Sequence, residues 1–181
     1  MDGTGVLIAL SPKTAHTVRT IIDPPSSVQG RGGAVRLCGS HRKGGRAKDL
    51  FITNVYYPQT REHGASTNAK QRDALTDWVS ATLSEQLSSC ARSTPILVGD
   101  MNAKFAAVGT DEIGMAQKQF APYTDCANAA AIRPILQRFK LAAVNTHIPE
   151  GTRGWGWTYR GGSVQDGWHH SRIDYICLPR E

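Results

Sequence analysis

The stretch Pro95-Ile96-Leu97-Val98-Gly99-Asp100-Met101-Asn102 organises the chain. Ile96 to Val98 form a short apolar run that reads as a buried strand, and Gly99 ends it. In an extended exit, residues two apart project to one face, so Asp100 and Asn102 are expected to point together beyond the strand end. A carboxylate beside a carboxamide can hold a water, a divalent cation or a phosphate oxygen. The same four residues, Gly-Asp-x-Asn, are also ordinary turn formers. The rest of the chain has to decide between turn and site.

Working outward, the bulk properties set the frame. At 181 residues and 40% hydrophobic, residues 1–181 make one domain with one core. Glycine (18) and proline (9) recur along the whole length, which fits short elements joined by turns and excludes a helical bundle. The net charge of +6 and pI near 9.4 favour a polyanionic partner by a modest margin. The basic residues concentrate at Arg31, Arg36, Arg42, Lys43, Arg46 and Lys48, then return at Arg153, Arg160 and Arg172. The first group is Gly-rich, and reads equally as a loop or a binding patch.

Four cysteines lie far apart with no C-x-x-C and no zinc-finger histidine spacing, so a reduced, intracellular protein without structural zinc is expected. The one apolar run near the start, residues 6–10, is too short for a signal peptide or a membrane span.

Strands are predicted at residues 6–10, 16–22, 34–38 and 50–57, the last stopped by Pro58. From Asn68 to Ser89 the period changes. Leu75, Trp78, Val79, Thr82, Leu83 and Leu87 recur at three and four residues, which predicts an amphipathic helix capped by Asn68, with Trp78 in the core. Residues 103–125 read as a long loop. A second helix is expected over 128–139, with Pro134 in its first turn or kinking it. Short strands follow at 141–144, 156–159 and 172–177, the last two joined as a hairpin. Strands in runs with helices between them predict an α/β (α+β) sandwich.

Three further stretches place polar chemistry at strand ends: Val55-Tyr56-Tyr57-Pro58, Trp157-Thr158-Tyr159 and Ser171-Arg172-Ile173-Asp174-Tyr175-Ile176. Asp174 sits within an otherwise apolar run, where an unpaired carboxylate is costly, so a partner such as an imidazole is expected. His169 and His170 are expected in the hairpin turn, exposed, with Asp166 nearby. Glu62, Asp111 and Glu112 are read as solvent-facing loop acids.

The ordered set V-Y-Y-P, G-D-M-N, W-T-Y and S-R-I-D-Y-I resembles the endonuclease/exonuclease/phosphatase family, with the deoxyribonuclease I-like fold. Val144-Asn145-Thr146 and G-W-T-Y-R-G make it most similar to the endonuclease domains of non-LTR retrotransposons. The resemblance covers nearly the whole chain. It implies a four-layer sandwich of two mainly antiparallel sheets flanked by helices, and Mg²⁺-dependent (or Mn²⁺-dependent) hydrolysis of a phosphodiester in nucleic acid, DNA favoured over RNA, with access to the nucleus. It further implies that Asp100 orients or deprotonates the attacking water, that Asn102 holds the phosphate or that carboxylate, that Tyr56 stands against the scissile phosphate, and that Asp174 orients the family's histidine. Thr158, Ser171 and Arg160 would line the nucleic-acid backbone. Trp155 and Trp157, near Arg153 and Arg160, would either stack on a base or pack against a neighbouring strand.

Two family motifs have no match: the upstream metal-binding glutamate and the downstream Ser-Asp-His strand. The metal ligands are therefore not assigned, and the expectation is a partial domain that cuts poorly or not at all. Rival readings are a catalytically dead nucleic-acid-binding remnant, or another phosphoesterase of the family: RNA deadenylase, abasic-site nuclease, inositol-phosphate phosphatase or sphingomyelinase.

Overall fold

The structure, a computed structural model, describes residues 5–39, 49–59, 65–89, 92–147, 158–163 and 167–180. Of the predicted strand at 156–159 only residues 158 and 159 are among these, and Trp155, Trp157, Arg153, Glu62 and Asp166 are not. Residues 156–157 and those five side chains lie outside the described residues.

The sequence of elements is α1 (Pro12–Ala15), β1 (Val18–Ile22), β2 (Gly32–Leu37), β3 (Asp49–Tyr56), α2 (Ala65–Ser89), β4 (Ser93–Asp100), α3 (Ala127–Arg138), β5 (Leu141–Ala143), β6 (Tyr159–Ser163), β7 (Gly167–Ser171) and β8 (Asp174–Pro179). Six strands form one sheet in the order β1-β2-β3-β4-β8-β5, and β6 and β7 form a two-stranded sheet. Only β3 and β4 run parallel, with α2 as their crossover; the other ladders are antiparallel. The chain is therefore α/β with two mainly antiparallel sheets and helices, as expected.

Alternation along the strands explains where the core lies. Phe51 and Val55 of β3, Leu97 of β4, and Tyr175 and Cys177 of β8 are buried on one face of the large sheet. They meet Leu75, Trp78, Val79 and Leu83 of α2 and Ile132, Ile135 and Leu136 of α3. The predicted stripe of α2 is thus its core side, Trp78 included. The alternate strand residues, among them Ile52, Ile96 and Ile176, occupy the other face and are only partly buried. Among the described residues no helix is long and apolar enough to cross a membrane.

Several boundaries differ from the sequence reading. Residues 6–10 form no strand: no ladder partner takes them up among the described residues, Leu7 is 81% exposed, and the Leu7 carbonyl accepts from the Asn54 side-chain amide instead. Asn68 is not a cap but lies inside α2, its side chain donating to the Gln59 carbonyl. Pro134 lies beyond the first turn of α3. Residues 103–125 contain a 3-10 turn at Met115–Phe120. The hairpin joins β6 to β7, so His169 and His170 belong to a strand rather than a turn, paired with Gly161 and Arg160. The strand carrying Asp174 starts at that residue, because Arg172 and Ile173 are drawn into other bonds described below.

Candidate active site

Strand β4 ends against β3 on one side and β8 on the other, and the registers decide what meets there. Tyr56 of β3 stands opposite Asp100, and Asp100 stands opposite Asp174 of β8. Cross-strand partners in register share a face, so the phenol and the two carboxylates form one row on the face turned away from the helices.

Reaching that register needs Gly99. Its φ is +139°, and a Cβ built there would lie 1.9 Å from the Val55 carbonyl oxygen. Only glycine lets β4 approach β3 this closely one residue before Asp100. The chain then turns: the Asn102 backbone N–H donates to Asp100 Oδ1 at 3.0 Å, and Asn102 itself takes φ 44°, a left-handed conformation asparagine tolerates. The turn reading of Gly-Asp-x-Asn therefore holds, and the turn is what fixes the carboxylate. The Asn102 carboxamide does not point with Asp100 as a free group; its Nδ2 donates to the Tyr57 carbonyl at 2.9 Å and ties the turn to the end of β3. Buried Asn128, in the first turn of α3, holds the same corner through Nδ2 bonds to the carbonyls of Pro58 and Met101.

A second set of bonds places Asp174. Thr158 Oγ1 accepts from the backbone N–H groups of Ile173 (3.0 Å) and Asp174 (3.2 Å), and the Thr158 N–H donates to the Ser171 carbonyl. The Ile173 carbonyl accepts from Met101 N–H. Asn145 spans the start of β8: its Nδ2 donates to the Asp174 carbonyl and its Oδ1 accepts from Ile176 N–H. The guanidinium of Arg172, 3% exposed, donates to the Asn145 carbonyl at 2.7 Å and lies over the Phe120 ring. Burial lowers its pKa from the ordinary arginine range.

The charge environment follows. Burial pushes the Asp100 carboxyl up to about 6; the Asn102 N–H opposes this and the facing Asp174 carboxylate adds to it. Asp174 is half-buried at a strand end rather than embedded in one, and the residue facing it across the β4–β8 ladder is Asp100. Ser171 is buried, whereas Thr158 and Arg160 are exposed. Arg160 and His170 oppose one another in the β6–β7 ladder. Glu112, expected in solvent, is 8% exposed, its carboxylate 3.2 Å from Arg180. The fold of the loop onto β5 buries it: its carbonyl accepts from Ala143 N–H.

The structure thus brings Tyr56, Asp100 and Asp174 into one row, with Asn102 and Thr158 bonded at its corners, and leaves Arg160 on the separate hairpin. The sequence reading missed the side-chain role of Asn128 and Asn145. Their signal was weak, a polar residue at the start of a helix and another after a short strand. Among the described residues no three of His, Cys, Asp and Glu converge as a metal site.

No protein-family model matches the chain, and no curated protein matches it in sequence. Solved structures similar to it include truncated Caenorhabditis elegans TDP2, with 16% identity and TM-score 0.47, covering 91% of this chain and 53% of that one. The human Nocturnin catalytic domain with bound sulfate is 13% identical with TM-score 0.45, covering 90% and 48%. An endonuclease/exonuclease/phosphatase family protein from Bacteroides thetaiotaomicron is 13% identical with TM-score 0.39, covering 81% and 41%. The chain spans about half the length of these structures. At such identities function has to be read from the chain's own site.

Proposed function

We propose that the chain carries the catalytic face of a divalent-cation-dependent phosphodiesterase of the endonuclease/exonuclease/phosphatase family. More particularly, we read it as a DNA-nicking endonuclease of the non-LTR retrotransposon type. The observation that supports this most is the row Tyr56–Asp100–Asp174 with Asp100 pushed up to about 6.

A carboxylate with a pKa near 6 is ionised at neutral pH yet basic enough to take a proton from water, which is the requirement for a general base. In this reading Asp100 accepts a proton from a water as its oxygen forms a bond to phosphorus, and the bond from phosphorus to the leaving strand breaks. The Tyr56 hydroxyl donates to a phosphate oxygen. Asn102, through its backbone N–H, and Thr158, through the amides it accepts from, hold the two carboxylates still.

The donor set fits Mg²⁺ in part. Mg²⁺ takes oxygen ligands and is satisfied by one or two carboxylates plus water and substrate phosphate, and two facing carboxylates that repel are stabilised by a cation between or beside them. Asp174 would hold it, with water and a substrate phosphate oxygen completing its shell, and it would neutralise charge developing on the phosphate oxygens.

The test is nicking of supercoiled plasmid by the full chain with Mg²⁺ and with EDTA, beside Asp100→Ala. Slow nicking that needs Mg²⁺ and disappears in Asp100→Ala is the expected result. Nicking that survives Asp100→Ala, or EDTA, overturns the assignment. Since only two carboxylates converge among the described residues, a second reading stands beside the first: a nucleic-acid-binding remnant. DNA binding without any Mg²⁺-dependent nicking selects it. A panel of duplex DNA, abasic DNA, RNA and inositol phosphates separates the family's other activities.

A further inference from the structure

On the helix side of the large sheet, behind the row at the strand ends, one hydroxyl joins the two segments that carry the carboxylates. Asp100 and Asp174 are the last pair of the β4–β8 ladder, and Met101 N–H donates to the Ile173 carbonyl at 2.9 Å just beyond it. One step further on, Tyr175 Oη lies 2.9 Å from the Ala103 carbonyl oxygen and 2.9 Å from that of Arg172. Ala103 follows shortly after Asp100, and Arg172 comes shortly before Asp174. The phenol therefore grips both segments where β4 and β8 have stopped pairing.

Two further facts set this tyrosine apart from ordinary core packing. A phenol has one proton, and Gln117 directs it. Gln117 is fully buried in the 3-10 turn Met115–Phe120, and its Nε2 donates to Tyr175 Oη at 3.2 Å. With a donor already on its oxygen, the hydroxyl gives its own proton to the two carbonyls, as a shared bond. The opposite orientation of the amide would take that proton and leave both carbonyls without it. The second fact is a cost: Gln117 Oε1 is enclosed and has no hydrogen-bond partner among the described residues. A leucine there would bury no polar atom, so packing alone does not account for a half-satisfied amide against this hydroxyl. The ring is held as well. It is buried and stands edge-on to Phe105, with centroids 5.3 Å apart.

We infer that the Tyr175 hydroxyl, aimed by Gln117, is a positioning group that sets Asp174 against Asp100. This rests on the catalytic reading of the row given above and adds to it a residue acting from the opposite face of the sheet. Tyr175 works through backbone carbonyls and touches neither phosphate nor cation. Without the hydroxyl, the join beyond the ladder rests on the Met101 bond, and two like charges are free to move apart. A displacement of about 1 Å between groups acting on one phosphate lowers rate on the order of 100-fold.

The experiment compares the full chain with Tyr175→Phe, Gln117→Leu and Val79→Ala, by amide hydrogen exchange in EDTA and by Mg²⁺-dependent plasmid nicking. Tyr175→Phe keeps the ring and removes only the hydroxyl. Val79 is buried on α2, so its truncation controls for lost stability alone. In Tyr175→Phe the Met101 amide should exchange faster, by a factor exceeding that at Thr53 and Leu97 in the β3–β4 ladder by about tenfold. In Val79→Ala any acceleration should be shared by all three amides. Nicking by Tyr175→Phe should show kcat lower by about tenfold or more with KM for DNA unchanged, the sign of lost geometry rather than lost binding. Gln117→Leu should give the same pattern more weakly, and it keeps the test decisive if Tyr175→Phe does not fold. Acceleration at Met101 no greater than at Leu97 overturns the inference and leaves the nuclease reading intact. Selective acceleration with an unchanged kcat also overturns it, by showing that the site does not depend on this clamp. No nicking by the wild type overturns the catalytic reading, while selective acceleration at Met101 still supports Tyr175 as the group that holds the two carboxylate segments together.

Discussion

Asp100 carries a stability cost that its proposed role explains. Its folded-state pKa is raised from 3.8 to about 6. The sign is set by linkage: the folded state holds the proton more tightly than the unfolded chain, so the stabilising contribution is complete below the unfolded pKa and is lost as pH rises through about 6. Asp100→Asn should therefore raise the thermal midpoint at pH 8, by an amount on the order of 1 kcal/mol once solvent screening at this half-exposed group is allowed for, and not at pH 4. The same variant should lower nicking by about 100-fold or more. Thermal melts at the two pH values, beside the plasmid assay, check both halves. Where nicking is measurable, its rate should rise with pH and level off at or below about 6, because a cation beside Asp100 favours its charged form. In the metal-free chain, Asp174→Asn should bring the Asp100 pKa back by only part of the shift, read by NMR titration, because burial is the larger cause and the facing carboxylate the smaller. At this scale the sequence was readable: a carboxylate leaving an apolar strand through glycine announced itself. Asp174 was also singled out, but not that it stands opposite Asp100, because cross-strand register is not a local property.

At the level of elements, β4 depends on one residue with no side chain. Gly99→Ala would put a Cβ against the Val55 backbone at a φ of +139°, with nothing flexible to yield. It should destabilise by about 3 kcal/mol or more, read as a lower urea midpoint, and should abolish activity with it. Asn145 tests the start of β8 more gently. Asn145→Ala removes two hydrogen bonds that hold the backbone of Asp174 and Ile176, and should cost about 1–2 kcal/mol in urea unfolding. Periodicity located α2 and its buried stripe well, since a long repeat of apolar residues can pack only one way. The hairpin was harder. Gly161 and Gly162 read as turn residues, yet they are strand residues in β6, paired to His169 and Trp168. Glycine has no strand preference of its own, so the partner strand decided.

For the whole molecule, the division between the two faces of the large sheet predicts where mutations hurt. Leu97 is buried against the helices, so Leu97→Ala should cost about 2–5 kcal/mol. Ile176, on the opposite face and 49% exposed, should lose about 1 kcal/mol or less on the same change. Urea midpoints for the two variants decide it; equal losses would contradict the one-sided core. The same division explains the site, since the row from Tyr56 to Asp174 runs along the ends of three neighbouring strands on the less covered face. The sequence by itself determined both long helices, most of the large sheet's strands, the core stripe of α2 and the strand-end carboxylate at Asp100, because apolar period and turn chemistry are local. Only the tertiary structure decided that Asp174 faces Asp100 and that Asn145 holds the start of β8. Each of those depends on which strands become neighbours and in what register, and that is set by burial across the whole sheet.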